Sequence, residues 1–144
     1  MEADFEMQIY PEVLIRTIFG MSRKNIHPLS YAVHITAERL FVQHISIDEL
    51  LFTKDIYPTA ARLLDKKPVN VTRRIERLAN HCQDKLLADG LVEKYIGKPA
   101  DDLGDPHNLI IYLAVYAYLG EPFYKALQLY PELFASQVDL PSLP

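Results

Sequence analysis

Apolar residues recur at helical spacing along the whole chain, and no stretch alternates between apolar and polar positions as a half-buried strand would. The pattern therefore predicts an all-α fold, a single compact domain of about six to seven helices. Prolines fit the first turn of a helix, so Pro11 and Pro28 are expected to open the segments "PEVLIRTIFG" and "PLSYAVHITAERLFVQ". Ser46 and Glu49 in "SIDELL" have the spacing of a capping box, which predicts another helix start.

Two segments in the middle of the chain predict a pair of helices joined by a short turn. The first, "TKDIYPTAARLLD", either kinks at Pro58 or begins at Tyr57. Its apolar residues are expected to face inward: Ile56, Ala60, Leu63 and Leu64. After the break "KKPVN", Asn70 is the expected N-cap of a second helix that runs to about Asp89. The following glycine, Gly90, is a suitable stop.

The C-terminal third predicts one strongly apolar helix and one amphipathic helix. Asn108–Leu119 is expected to be buried, and its apolar run is shorter than the roughly 20 residues needed to span a bilayer. The segment "PFYKALQLYPELFASQ" predicts a last helix, interrupted or restarted at Pro131, before a loose tail. We therefore expect a main unit over residues 1–120 and an addition over 121–144. The addition has aromatic and aliphatic residues that either pack inward or form a dimer face: Phe123, Tyr124, Leu127, Tyr130 and Phe134.

The second helix of the central pair, "NVTRRIERLANHCQDKL", separates into two opposite faces at 100° per residue. One sector is apolar and predicted to be buried: Val71, Ile75, Leu78, Ala79, Cys82 and Leu86. The opposite sector is polar: Asn70, Arg73, Arg74, Arg77, Asn80, His81 and Asp84. Thr72, Glu76 and Gln83 lie on one flank. The three arginines are therefore expected to be exposed, with one carboxylate nearby.

Charge is distributed unevenly along the chain. The net charge is −4, but residues 62–85 hold seven basic and three acidic side chains, so a polyanion would be attracted to one region and repelled elsewhere. Arginine and asparagine also make directional bonds to base edges, which lysine does not. A helix-turn-helix places such a second helix in the major groove, with Lys66 and Lys67 in the turn beside phosphates. The same pattern also fits an ordinary helical hairpin with a solvated face.

The stretch "TKDIYPTAARLLDKKPVNVTRRIERLANHCQDKL" resembles the C-terminal DNA-binding domain of the sporulation master regulator, stage zero sporulation protein A. The family's "I-T-K-x-L-Y-P-x-I-A" motif is matched at Thr53, Lys54, Tyr57, Pro58 and Ala61. Its "R-V-E-R-x-I-R-H" motif is matched at Arg74, Ile75, Glu76, Arg77 and His81. Its "G-K-P-T-N" motif is matched at Gly104, Pro106 and Asn108. The likeness covers roughly residues 11–120.

This resemblance implies an all-helical domain of about six helices that binds double-stranded DNA, with two domains side by side on tandem sites. It implies that Arg74, Glu76 and Arg77 read bases. The chain departs from the family at Asn80 and Asp105, where the family has basic residues, and it lacks the phosphoacceptor receiver domain. It would then act alone or with a separate receiver-domain partner.

Together, the face and the resemblance give two sets of candidate residues. The expected base contacts are Arg73, Arg74, Glu76, Arg77 and Asn80. The expected phosphate contacts are Lys66, Lys67, Asn70, Thr72 and His81. The function predicted from them is a sequence-specific DNA-binding transcriptional regulator. The alternative is a non-enzymatic regulatory protein–protein interaction module that kept the fold and lost DNA binding.

Other chemistry has little support in the sequence. The five histidines lack metal-ligand spacing and one cysteine cannot build a zinc site, so no metal and no cofactor are expected. Phosphate-binding glycine loops and nucleophile elbows are absent from the sequence, so the chain is not expected to be an enzyme. A single cysteine and an acidic N-terminus without a signal pattern favour a cytoplasmic protein that does not enter a membrane.

Overall fold

Seven α-helices follow one another along residues 6–131, the part of the chain that the computed structural model describes. Their bounds are α1 Pro11–Phe19, α2 His27–Phe41, α3 Tyr57–Leu64, α4 Pro68–Ala88, α5 Val92–Ile96, α6 Pro106–Leu119 and α7 Phe123–Leu129. Residues 6–131 contain no strand, and their apolar side chains share one core. The prediction of a single all-α domain is confirmed.

The apolar helix α6 lies at the centre of this core. Leu109, Ile110 and Leu113 are fully buried along it, and it packs against α2, α4, α1, α5 and α7. Asp105 caps its start by accepting a hydrogen bond from the backbone N–H of His107 at 2.9 Å. At 14 residues it is short, and none of the helices within residues 6–131 is long and apolar enough to cross a membrane.

Pro58 lies at the start of α3 and does not kink it. One turn of π-helix (Phe52–Ile56) precedes α3, which begins at Tyr57 with Pro58 in its first turn; this confirms one of the two predicted alternatives. Asp55 in that turn accepts two hydrogen bonds from Arg39 of α2, at 2.8 and 3.0 Å. This hydrogen-bonded pair raises the pKa of Arg39 and lowers the pKa of Asp55, and it fixes the π turn to α2.

Two predicted details of the central pair are wrong. Leu63 was expected to face inward but is 62% exposed, because α3 is only eight residues long and packs through Tyr57, Ala60 and Ala61. Asn70 is not the N-cap of α4: that position is Lys67, and Asn70 lies inside the first turn. The helix starts earlier because Pro68 supplies a preset helical φ at the first position.

The turn between α3 and α4 comprises only residues 65–67. Asp65 adopts a left-handed conformation with φ +57°, which aspartate tolerates better than most residues. Its N–H donates to the carbonyl of Arg62, and the N–H of Lys66 donates to that of Ala61, the pattern of a Schellman motif. Lys67 is extended and Pro68 then starts α4.

The structure also tests the predicted capping box at Ser46 and the packing of the last helix. Ser46 makes no capping hydrogen bond, and only a short 3₁₀ turn (Ile47–Glu49) follows it, so the predicted capping box is wrong. The last helix packs inward: Phe123 and Ala126 of α7 are buried, and α7 contacts α6 and α5. Phe134 and the predicted loose tail lie outside the described residues.

Candidate nucleic-acid interface

The helix α4 has the two faces that its sequence predicts. Ile75, Leu78, Ala79 and Cys82 are buried against the core, with exposed fractions of 7% or less. Arg73, Arg74 and Arg77 are exposed, as is Asn80. Both predictions are confirmed, and they follow from the helical period alone because a long helix on a core must bury its apolar stripe.

None of the three arginines forms an ion pair or a side-chain hydrogen bond with another described residue. The neighbouring basic residues of the segment differ: Lys85 pairs with Asp89 at 3.3 Å, and Arg62 donates to the Thr59 hydroxyl at 3.3 Å. Positive charge on the outer face of α4 is therefore not neutralised within the described part of the chain.

The one carboxylate among the arginines is engaged elsewhere. Glu76 Oε2 lies 3.7 Å from Nε2 of His107 at the start of α6. The same carboxylate faces the Tyr57 hydroxyl, whose pKa is raised by burial first and by Glu76 second, although the two groups do not reach hydrogen-bonding geometry. Glu76, predicted as a base contact, thus lies on the flank of α4 that faces α6, half-exposed beside these groups.

An aromatic cluster holds His107 in this position. Its ring stacks on Phe52 with centroids 4.3 Å apart and planes 5° apart, and it meets the edge of Tyr57 at 5.7 Å. Its Nδ1 lies 3.5 Å from the cap carboxylate of Asp105. The sequence gives no signal for this arrangement, because Phe52, Tyr57 and Glu76 lie about 30 to 55 positions before His107 in the chain.

Polar side chains cover the outer face of α4. Arg73, Arg77 and Asn80 follow i, i+4 and i+7 spacing, so they lie along one line. They span about 10 Å of helix, which matches the scale of the roughly 12 Å wide major groove. Asn70 and Arg74 lie beside this line, and both line a cleft with Asn25 of the loop that precedes α2.

The predicted phosphate contacts are not all in one place. Lys66, Lys67 and Asn70 are exposed around the α3–α4 turn, whereas Thr72 and His81 are half-exposed. His81 lies 11 residues beyond Asn70, about 16 Å along the helix axis. The structure brings Lys66, Asn70 and Arg74 to one cleft with Asn25, a residue that sequence reasoning did not single out.

Metal and thiol chemistry find no site in the described residues. Residues 6–131 hold no group of three histidine, cysteine, aspartate or glutamate side chains that could bind a metal ion. Cys82 is buried, and burial raises the pKa of its thiol to about 12. It therefore behaves as a small apolar side chain of the core.

Comparison with models of protein families, with curated proteins and with solved structures finds no match to this chain.

Proposed function

We propose that this chain is a sequence-specific DNA-binding transcriptional regulator that acts in the cytoplasm. The observation that carries the proposal is the set of exposed arginines on α4 that form no ion pair with another described residue, on a chain whose net charge is −4. An exposed guanidinium without a protein partner is solvated by water and remains available, and guanine offers it a bidentate partner. The motif resemblance to the sporulation regulator supports the same role.

The arrangement around α4 supports a helix-turn-helix. α3 and α4 are consecutive, joined by residues 65–67, and the longer second helix presents the polar face. The first turn of α4 contains no acidic side chain, so the positive end of the helix dipole remains available to a phosphate. Arg73, Arg77 and Asn80 would meet base edges, and Lys66 and Lys67 would meet the backbone.

The structure also favours a limited role for Glu76 in base reading. A carboxylate beside His107 and Tyr57 is oriented by the protein before DNA arrives. We propose that it accepts a hydrogen bond from a cytosine amino group only at the edge of the contacted site. Binding as two copies on tandem sites, and control by a separate receiver-domain partner, belong to the same proposal.

The test is selection of binding sites from random duplexes at a fixed, stated salt concentration, followed by titration of the selected duplex at several salt concentrations. The proposal expects one enriched motif and an affinity that falls steeply with salt, because phosphate contacts release counterions. Lys67→Ala should weaken selected and random duplexes alike. Failure to enrich any motif, with no affinity for random duplex either, would reject it.

The alternative, a regulatory protein–protein interaction module, has one observation in its favour. A cavity of about 390 Å³ opens between α1, α2 and α3, with Tyr10 and Leu63 exposed at its rim. The buried Ser30 hydroxyl beside it has no hydrogen-bond partner among the described residues. Recognition through this cavity would change little with salt, so a salt-independent partner lost on Leu63→Asp would favour the module.

A further inference from the structure

A second polar site lies beside the α3–α4 turn, partly outside the two helices that resemble the sporulation regulator. It is a cleft of about 160 Å³ between α4 and the loop that precedes α2. Four polar side chains line it: Asn25, Lys66, Asn70 and Arg74. Val71 is among the apolar residues that line it. Two of the four are cations and two are amides, and no described residue that lines the cleft is acidic.

The groups in the cleft have donors available. Lys66 and Arg74 can only donate hydrogen bonds, and neither forms an ion pair with another described residue. Asn70 lies one helical turn before Arg74, so both side chains are on the same side of α4. The acidic residue that follows α3, Asp65, is exposed at the turn and does not line the cleft.

Asn25 is oriented by its own loop. Its Oδ1 accepts a hydrogen bond from the backbone N–H of His27 at 3.1 Å and lies 2.9 Å from Nδ1 of the same residue. Because a backbone N–H can only donate, the amide oxygen must be the atom that faces it. The Asn25 amide NH₂ is therefore the group left to donate to a ligand. The carboxylate of Glu12 lies 3.6 Å from Nε2 of His27.

We infer that this cleft binds a backbone phosphate of duplex DNA, clamped between the loop before α2 and the start of α4. The inference rests on the proposed function. It adds Asn25 as a contact, and it assigns Arg74 to a phosphate, whereas the resemblance assigns Arg74 to a base. Base reading then falls to Arg73, Arg77 and Asn80. At 100° per residue, Arg73 points about 100° away from Arg74 and Arg77 about 60° away. Arg77 also lies about two turns further along α4 than Asn70.

Phosphate and base roles predict opposite results for two arginines three residues apart. Arg74→Ala should weaken the selected duplex and random duplexes by the same factor. It should also reduce the slope of log affinity against log salt by about one unit. Arg77→Ala, the matched control, should instead weaken the selected duplex alone. Loss of selectivity in Arg74→Ala with an unchanged salt slope would overturn the inference.

Asn25→Asp tests the loop separately. The variant keeps the oxygen that accepts from the His27 N–H, so the loop conformation should survive, but it replaces the NH₂ donor by a negative charge. It should weaken all duplexes, and Asn25→Ala should do so less. If Arg77→Ala loses selectivity while Asn25→Asp and Arg74→Ala both bind random duplex as wild type does, the cleft inference fails and the proposed function stands.

A neutral linkage in the DNA identifies the phosphate itself. Single methylphosphonate substitutions are scanned along both strands of the selected duplex with the 144-residue chain. At one linkage the substitution should lower the affinity of the wild-type protein but not that of Arg74→Ala, because the variant already lacks the contact. Inorganic phosphate at millimolar concentration serves as the second probe: saturable shifts of the Asn25 amide without any methylphosphonate effect would assign the cleft to a free anion and overturn the inference.

Discussion

Replacement of Arg77 by alanine should separate DNA selectivity from stability. The side chain is exposed and has no ion pair or hydrogen bond with another described residue, so its truncation breaks no described contact. Substitutions of this kind usually change the free energy of unfolding by less than about 0.5 kcal/mol. A lost bidentate contact to guanine costs about 1–3 kcal/mol of discrimination, which corresponds to roughly 5- to 150-fold in affinity for the selected site.

The assay measures fluorescence anisotropy of labelled selected and scrambled duplexes at one salt concentration, alongside urea unfolding of the same samples. Lys94→Ala, which removes one exposed positive charge from α5, is the control for net charge. Ile75→Ala is the control for the opposite face: Ile75 is fully buried, and its truncation should cost about 2–5 kcal/mol of stability.

The result that would refute this reasoning is the reverse pattern. If Arg77→Ala destabilised the fold by about 2 kcal/mol or more, as the truncation of a buried side chain does, and left the ratio of selected to scrambled affinity unchanged, Arg77 would be structural. If Lys94→Ala reduced selectivity as much as Arg77→Ala, the effect would be one of net charge and not of a base contact.

Three further predictions concern the fold. Gly97→Ala should destabilise the fold more than Gly90→Ala. Both glycines have positive φ, but a Cβ at Gly97 would lie 3.3 Å from α7, whereas one at Gly90 meets nothing within 4 Å. Chemical denaturation of both variants measures the difference in stability, and equal losses would mean that backbone strain alone matters. Arg39 lowers the pKa of Asp55 below its usual 3.8, so the pair stabilises the fold above that pH and the stabilisation is lost as pH falls through the lower folded-state pKa; the gap in unfolding free energy between wild type and Asp55→Asn should therefore narrow in acid, and a constant gap would contradict it. The thiol of Cys82, with its pKa raised to about 12, should react with iodoacetamide at pH 8 only after unfolding, as mass spectrometry with and without urea would detect; rapid labelling of the folded protein would show that the thiol is accessible.

The sequence by itself determined the fold class and the orientation of α4. Both depend on a local period: apolar residues at 3.6-residue spacing must face a core, so Ile75 was predicted to be buried and Arg77 exposed from one stretch of chain. The start of α3 at Tyr57 could be narrowed to two alternatives, because a proline restricts the backbone wherever it stands.

Tertiary structure decided which polar groups meet. Glu76 lies beside His107 because α6 starts against α4, and Asn25 joins Lys66 and Arg74 because the loop before α2 passes the α3–α4 turn. Leu63 is exposed because α3 packs on the core through Tyr57, Ala60 and Ala61 instead. The periodicity of the sequence predicts none of these outcomes, because each depends on how segments far apart in the chain pack together. The period of one helix fixes which way its side chains point, whereas only the packed fold fixes what they face.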